Sequence, residues 1–88
     1  MLEFIDQPVT VEVRVQPDGT VQPLAFVWHG HRYQIESWGR DSTETQAGRA
    51  RHCYLIQTAG PETWEICQDI ETAQWTLVRH WADTSRAV

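Results

Sequence analysis

The sequence predicts an all-β protein, a six-stranded antiparallel meander curled into a small barrel that is either SH3-like or open. Six stretches alternate apolar and polar residues at period two, which is the pattern of strands with one buried face. Turn-forming residues separate these stretches, and the spacing across each turn lets neighbouring apolar faces lie on one side of the sheet. We therefore expect a single small β domain over residues 1–88, with its core at about 9–81.

The first predicted strand has valine at every second position. Every second residue in it is apolar and β-branched: Val9, Val11, Val13 and Val15. Such residues fit a pleated surface with one buried face, so the alternation favours a half-buried strand. Residues 16–19, with the sequence Gln-Pro-Asp-Gly, form the turn that ends it.

The second and third predicted strands form a hairpin around His29 and Gly30. A turn of even length is needed there, because only then do the apolar faces of the two strands coincide. The predicted pairs are Trp28 with His31, Phe26 with Tyr33, and Leu24 with Ile35.

The fourth and fifth strands require a turn of odd length, and residues 59–61 supply one. The predicted pairs are Tyr54 with Ile66, Ile56 with Trp64, and Arg51 with Asp69. We expect the last pair to be a cross-strand ion pair.

A four-residue turn at 71–74 leads into the sixth strand, which we expect to place Trp75, Leu77 and Trp81 inward, as the fifth does with Ile70. Ala73 stands in this turn where glycine is usual, so we expect it to adopt a left-handed backbone conformation.

The longest polar segment covers residues 39–49. It is bounded by glycines and is rich in serine, threonine and charged residues, which predicts a flexible loop between the third and fourth strands. The tail at residues 83–88 is expected to be frayed.

The charge balance is acidic. The chain has 12 acidic and 7 basic residues, the latter all arginine, for a net charge of −5. This balance opposes general attraction to nucleic acid and suits a basic protein partner. No apolar run is long enough to cross a membrane and no secretory signal is evident, so we expect a cytoplasmic protein without membrane association, monomeric or homodimeric.

Cys53 and Cys67 lie directly opposite each other on the outward face in the predicted register. We expect free thiols in a reducing compartment, acting as small apolar filler. A redox pair and half of a metal site are the alternatives.

The sequence carries no signature of catalysis or of a cofactor. There is no Gly-x-Ser-x-Gly elbow and no glycine-rich phosphate loop. The carboxylates of Glu12, Glu36, Glu65 and Asp69 alternate with apolar neighbours, as solvent-facing strand positions should. The four histidines, His29, His31, His52 and His80, lack the spacing of a zinc site. We expect a protein that is not an enzyme and has no metal or cofactor.

Trp38 is the main candidate for binding. It breaks the inward parity of the third strand and is followed by Gly39 and Arg40. An aromatic ring beside an arginine can anchor a protein interface or stack on a nucleic-acid base. The alternative is a β-bulge that turns Trp38 back into the core. The candidate binding residues are Trp38, Arg40, Arg49, Arg51 and Arg32.

Several strand and turn motifs resemble those of a known family. Residues 26–35 read FVWHGHRYQI, followed by Trp38, residues 54–56 (YLI), residues 64–66 (WEI), and Asp69 through residues 75–79 (WTLVR). This order resembles the DUF6504 family of small bacterial proteins of unknown function, over about residues 9–81. Family members are often encoded near translesion polymerase genes, so the resemblance implies an accessory role in DNA repair. The family's variable loop is rich in arginine and tryptophan, whereas residues 39–49 here are rich in serine and threonine and free of aromatic residues.

We therefore expect a non-enzymatic interaction module that binds a protein through an exposed sheet edge and the segment 38–49. The alternative is a small nucleic-acid-binding barrel that uses Arg32, Arg40, Arg49 and Arg51. A metal- or small-ligand-binding barrel is the third interpretation, and it requires converging histidines or an unfilled apolar interior.

Overall fold

The structure is a computed structural model, and it describes residues 2–60 and 62–81. Within these residues all regular structure is β: β1 (Leu2–Val15), β2 (Val21–Trp28), β3 (His31–Gln46), β4 (Arg49–Thr58), β5 (Glu62–Asp69) and β6 (Trp75–Trp81). Each strand pairs antiparallel with the next, and β1 also pairs with β6, so the sheet closes in a ring without forming a regular barrel. The predicted all-β meander is confirmed. In the described ranges there is no helix that could cross a membrane.

Two strands divide their pairing between neighbours. Residues 2–9 of β1 pair with β6, and residues 10–15 pair with β2. Residues 31–34 of β3 pair with β2, and residues 35–46 pair with β4. β1 and β3 thus pass from a three-stranded part of the ring to a five-stranded part, and they form the corners between the two.

The core is built around Trp64, which is 1% exposed. The other buried members of the cluster come from β2 to β6: Phe26, Ile35, Ile56, Ile66, Trp75 and Leu77. The rings of Phe26, Tyr33 and Trp28 lie with their centroids 5.1, 4.9 and 6.0 Å from that of Trp64. A few large aromatic rings therefore fill the centre of a small domain.

The predicted hairpin registers are largely confirmed. Trp28 pairs with His31 and Phe26 with Tyr33. All three predicted pairs between β4 and β5 are present: Tyr54 with Ile66, Ile56 with Trp64, and Arg51 with Asp69. Pro61, in the predicted turn at 59–61, and the tail at 83–88 lie outside the described residues.

The predicted pair of Leu24 with Ile35 is wrong, because β2 contains a β-bulge at Leu24. Glu12 pairs with Ala25 and Val13 with Pro23, so Leu24 is the extra residue. Pro23, and not Leu24, is fully buried in this part of β2. Proline lacks an N–H and cannot continue a sheet on both sides. Here β2 leaves β3, and Ile35 pairs with Thr58 of β4 instead.

A second bulge, in β6, overturns the predicted inward position of Trp81. Arg79 pairs with Glu65 and Leu77 with Ile66, so Val78 is the extra residue. The bulge brings His80 inward, and its ring stacks on Trp64 with centroids 3.9 Å apart. Ile70, also predicted to face inward, follows the end of β5 and is 57% exposed.

β1 extends further toward the N-terminus than the predicted first strand, which starts at residue 9. β1 begins at Leu2, and its first half closes the ring by pairing with β6. The register shifts between Phe4 and Gln7, where Asp6 has a φ of 56°. This bulge interrupts the period-two alternation, which is why the sequence pattern does not show the strand.

The loop predicted at residues 39–49 is replaced by the outer part of a long hairpin. β3 continues to Gln46, and β4 begins at Arg49. Ala47 and Gly48 form the turn, with φ values of 53° and 77°, as a two-residue hairpin turn of the primed type requires. Residues 39–46 are exposed on both faces of the strand, so they show no apolar alternation.

Candidate functional site

The side of β4, β5 and β6 that faces away from the core carries an unusual group of residues, and we call it the outer face. Alternation along the strands places Cys53 and Leu55 of β4 there, together with Glu65 and Cys67 of β5. Arg79 of β6 pairs across from Glu65. Cys53, Glu65 and Cys67 are 2%, 8% and 1% exposed, so this part of the outer face is as dry as the core.

Cys53 and Cys67 form a disulfide in this structure. The structure therefore holds the oxidised pair, which is the redox alternative, rather than free thiols, and the predicted register, which sets the two residues opposite each other, is confirmed. Their Cα atoms are 4.0 Å apart, which is closer than the spacing of about 4.5 Å in the narrower pairs of an antiparallel sheet. That proximity is what permits the bond.

Glu65 and Arg79 form an ion pair beside the disulfide, with Arg79 Nε donating to Glu65 Oε1. The prediction of a solvent-facing Glu65 is wrong, because the residue is only 8% exposed. The Arg79 guanidinium also lies 5.9 Å from the ring centre of Phe4 and 5.4 Å from that of Trp81. One cation is thus held by a carboxylate and two aromatic rings.

A shallow pocket of about 260 Å³ opens next to Cys67. It is lined by residues from the β3–β4 hairpin and from β5 and β6: Gln46, Ala47, Arg49, Arg51, Asp69 and Thr76. Two of the predicted binding arginines, Arg49 and Arg51, therefore meet beside the disulfide.

The ion pairs around this pocket differ from the predicted one. Arg51 and Asp69 are opposite in register, but Asp69 Oδ2 accepts from Arg49 Nε at 2.9 Å. Arg51 Nη2 instead donates to Glu44 Oε1 at 2.8 Å. The Arg49 bond and the backbone N–H groups of residues 71 and 72 hold the pKa of Asp69 well below its usual range. Each arginine of the pocket is thus paired with a carboxylate.

Trp38 lies where β2 and β3 separate. Its indole N–H donates to the carbonyl oxygen of Pro23 at 2.7 Å, while 41% of the residue remains exposed. Two other side chains reach β2 carbonyl groups nearby: Gln34 bonds Leu24 at 3.2 Å, and Tyr54 lies 3.5 Å from that of Val21. These contacts replace the missing backbone pairing.

The remaining predicted arginines do not join Arg49 and Arg51. Arg32 forms a two-pronged ion pair with Glu12, at 2.7 and 2.9 Å, which lowers the pKa of Glu12. It lies near the start of β3, at the opposite end of the strand from the β3–β4 turn. Arg40 is exposed and has no ion-pair partner within residues 2–60 and 62–81. The predicted set is therefore spread along β3 and β4 rather than gathered in one patch.

The histidines do not converge either. His29, His31 and His80 lie at the end of the ring near Trp28, Tyr33 and Trp64. In the part of the chain that the structure describes, the one group of possible metal ligands whose donor atoms lie within 4.8 Å of each other is Cys53, Glu65 and Cys67.

His52 takes part in a polar relay on the hairpin. Its Nε2 lies 2.7 Å from Asp41 Oδ2, and its Nδ1 lies 3.0 Å from the Thr43 hydroxyl. A hydroxyl, an imidazole and a carboxylate are thus linked in the same sequence of contacts as in a catalytic triad. All three residues lie on an exposed hairpin, and none lines a pocket found among the described residues.

An exposed aromatic surface beside Arg79 is a feature that the sequence did not predict. Leu2 pairs with Trp81 and Phe4 pairs with Arg79 across β1 and β6. Leu2 is 41% and Phe4 71% exposed. We call these four residues the β1–β6 patch. The sequence feature that could have predicted the patch is the apolar alternation of Leu2 and Phe4. The bulge at Asp6 separates this alternation from that of the valines at residues 9–15.

Comparisons of the chain with models of protein families, with curated proteins and with solved structures found no match.

Proposed function

We propose that this protein is a non-enzymatic interaction module that binds a partner protein through the β1–β6 patch. The observation that carries the proposal is the exposure of Phe4, which is 71% accessible beside Arg79. Aromatic residues and arginine are the side chains that most often dominate the energy of protein interfaces. Without a binding partner, an exposed aromatic ring on a strand would lower solubility and would not contribute to the core.

The patch is arranged before any partner binds. Its members lie on two hydrogen-bonded strands, and the Arg79 guanidinium is held by Glu65 and by the rings of Phe4 and Trp81. Side chains that are already ordered lose little conformational entropy on binding. A rigid patch of this kind supports selective binding despite its small size.

The net charge of −5 indicates the kind of partner. A protein with a basic surface and an apolar side chain to cover Phe4 would associate fastest, because opposite net charges steer the encounter. Nucleic acid is disfavoured, since Arg32, Arg49 and Arg51 each pair with a carboxylate. Their charge is thus largely neutralised at short range.

The resemblance to the DUF6504 family extends this proposal. It suggests that the partner belongs to a bacterial DNA-repair or translesion-polymerase system, and that the protein acts in the cytoplasm. In a reducing cytoplasm Cys53 and Cys67 would also exist as a dithiol.

A pull-down of the tagged full chain from its source cell, with and without nuclease, tests the proposal. The wild type and Val15→Ala should retain one protein partner after nuclease treatment, whereas Phe4→Ala should weaken binding roughly ten- to thirty-fold. Val15 is a matched control because it is 67% exposed and lies at the other end of β1.

Two results would overturn the proposal. Partners that are lost on nuclease treatment would assign the protein to nucleic acid. A nuclease-resistant partner that binds Phe4→Ala as tightly as the wild type would show that the patch is not the interface.

A further inference from the structure

Three potential metal ligands converge on the outer face. Glu65 and Cys67 are two residues apart on β5, so their side chains leave the same side of the strand. Cys53 is the direct cross-strand partner of Cys67. Both Sγ atoms and a carboxylate oxygen of Glu65 lie within 4.8 Å of one another. We propose that the reduced form of this protein binds a zinc-class divalent metal ion through Cys53, Cys67 and Glu65.

The arrangement suits a tetrahedral ion. Zinc binds thiolate sulfur at about 2.3 Å and carboxylate oxygen at about 2.0–2.2 Å, which places its ligand atoms about 3.3–3.8 Å apart. In the oxidised protein the two sulfurs are bonded to each other and cannot ligate. Once the bond is broken, rotation about the Cα–Cβ bonds lets them separate to that distance. The disulfide and the metal are therefore alternative occupants of one site.

The charge balance of the site favours a divalent ion. Two thiolates and the Glu65 carboxylate carry three negative charges, and Arg79, which is paired with Glu65, supplies one positive charge. A divalent cation makes the buried group neutral. The oxidised form is neutral as well, because only Glu65 and Arg79 are then charged. Burial therefore leaves no uncompensated charge in either state.

Arg79 also orients the carboxylate. Its Nε bonds Glu65 Oε1, which leaves the lone pairs of Oε2 for a metal. A second group that fixes a ligand in this way is common around protein metal sites. The pocket lined by Arg49, Asp69 and Thr76 reaches Cys67 from outside, so it gives a path for the ion and for a reductant. Three protein ligands leave a fourth position for water.

The chemical steps balance. A dithiol reductant transfers two electrons and two protons to the Cys53–Cys67 bond, which breaks to give two thiols while the reductant becomes a disulfide. Metal binding then releases both thiol protons to solvent and forms two metal–sulfur bonds and one metal–oxygen bond.

The test uses the full chain, reduced with a phosphine under anaerobic conditions and titrated with Co²⁺ as a spectroscopic probe, followed by competition with Zn²⁺. The reduced protein should bind one ion per chain and show a cobalt–thiolate charge-transfer band, while the oxidised protein should not bind. Glu65→Gln, which keeps both cysteines and a side chain of the same shape, should lower affinity at least about tenfold. The control is Glu36→Gln, an exposed carboxylate on β3, which should leave affinity unchanged.

Several results would overturn the inference. They are a reduced and folded chain that binds no cobalt, equal binding by the oxidised chain, and equal binding by Glu65→Gln. A reduced chain that loses its β circular-dichroism spectrum and does not recover it with metal would also overturn it, because the site needs the β4–β5 pairing. None of these results depends on the interaction partner, so this inference and the proposed function stand or fall separately.

Discussion

Trp38 offers a test of how the ring is sealed where β2 and β3 separate. Its indole N–H donates to the carbonyl oxygen of Pro23 at 2.7 Å. The substitution Trp38→Phe removes this donor and keeps an aromatic ring. A typical hydrogen bond contributes about 0.5–1.5 kcal/mol, and a buried carbonyl without a partner costs about 1–3 kcal/mol. We expect the free energy of unfolding to fall by about 1–2 kcal/mol. The loss stays below the upper end of these ranges because water can reach part of the site and hydrogen-bond to the Pro23 carbonyl.

Trp38→Ala should cost more. The residue is 41% exposed, so about 150 Å² of a tryptophan side chain of about 250 Å² is buried. At about 25 cal/mol per Å² this burial contributes about 4 kcal/mol. With the lost hydrogen bond, the expected decrease is about 5 kcal/mol, which is an upper value because the unfolded chain also buries some surface.

Urea unfolding of the oxidised chain, followed by circular dichroism, measures both effects. The matched control is Trp81→Phe, since the indole N–H of Trp81 makes no hydrogen bond within the described part of the chain. We expect this control to change stability by less than about 0.5 kcal/mol. If Trp38→Phe is as stable as the wild type, or Trp81→Phe loses as much, the bond to Pro23 does not seal the ring.

Three further predictions concern single side chains. Ala73 has a φ of 64°, so Ala73→Gly should raise the free energy of unfolding by up to about 1 kcal/mol, whereas Ala59→Gly should lower it in the same thermal unfolding assay. The pKa of Asp69 is lower in the folded than in the unfolded state, so its contribution is present above about pH 4 and is lost as the pH falls below it. Asp69→Asn should therefore flatten the pH dependence of stability, and an unchanged slope would contradict this. Arg79→Met leaves the Glu65 carboxylate buried without its partner, and we expect a loss of about 2–3 kcal/mol that Glu65→Gln partly restores, as urea unfolding of the double variant would show.

Local patterns in the sequence predicted that there are six strands, and most of the pairs between β2 and β3 and between β4 and β5. The pairs of Phe26 with Tyr33 and of Ile56 with Trp64 follow from turn length and the parity of apolar residues. The left-handed conformation expected at Ala73 is confirmed by its φ of 64°. These features depend on residues close together in the chain, which is why the pattern contains them.

The errors in register have a common physical cause. Each bulge adds one residue and reverses the parity of everything beyond it, and the bulges at Leu24 and Val78 carry no apolar signature of their own. Because of the bulge at Val78, His80 faces inward and Trp81 faces outward, the reverse of the prediction. For this reason the β1–β6 patch was not predicted. The outer hairpin was missed for a different reason, because a strand that is exposed on both faces has no alternation to detect.

The buried part of the outer face illustrates a third limit. The register predicted that Cys53 and Cys67 are opposite, but only the folded ring shows that Glu65 and both cysteines are excluded from solvent. Burial of an outward-facing strand position depends on side chains from other strands, as Glu65 shows by its pairing with Arg79. Sequence alternation does not include that information.

Site-specific photo-crosslinking would show whether the β1–β6 patch contacts a partner protein. A photoreactive phenylalanine analogue would replace Phe4 in one sample and Val15 in another, two residues of β1 that are 71% and 67% exposed. Irradiation in the source cell should link position 4, and not position 15, to one protein, and Trp81→Ala should reduce the yield. Equal adducts from both positions, adducts to nucleic acid, or no adduct at position 4 would contradict the assignment of this surface as a protein interface.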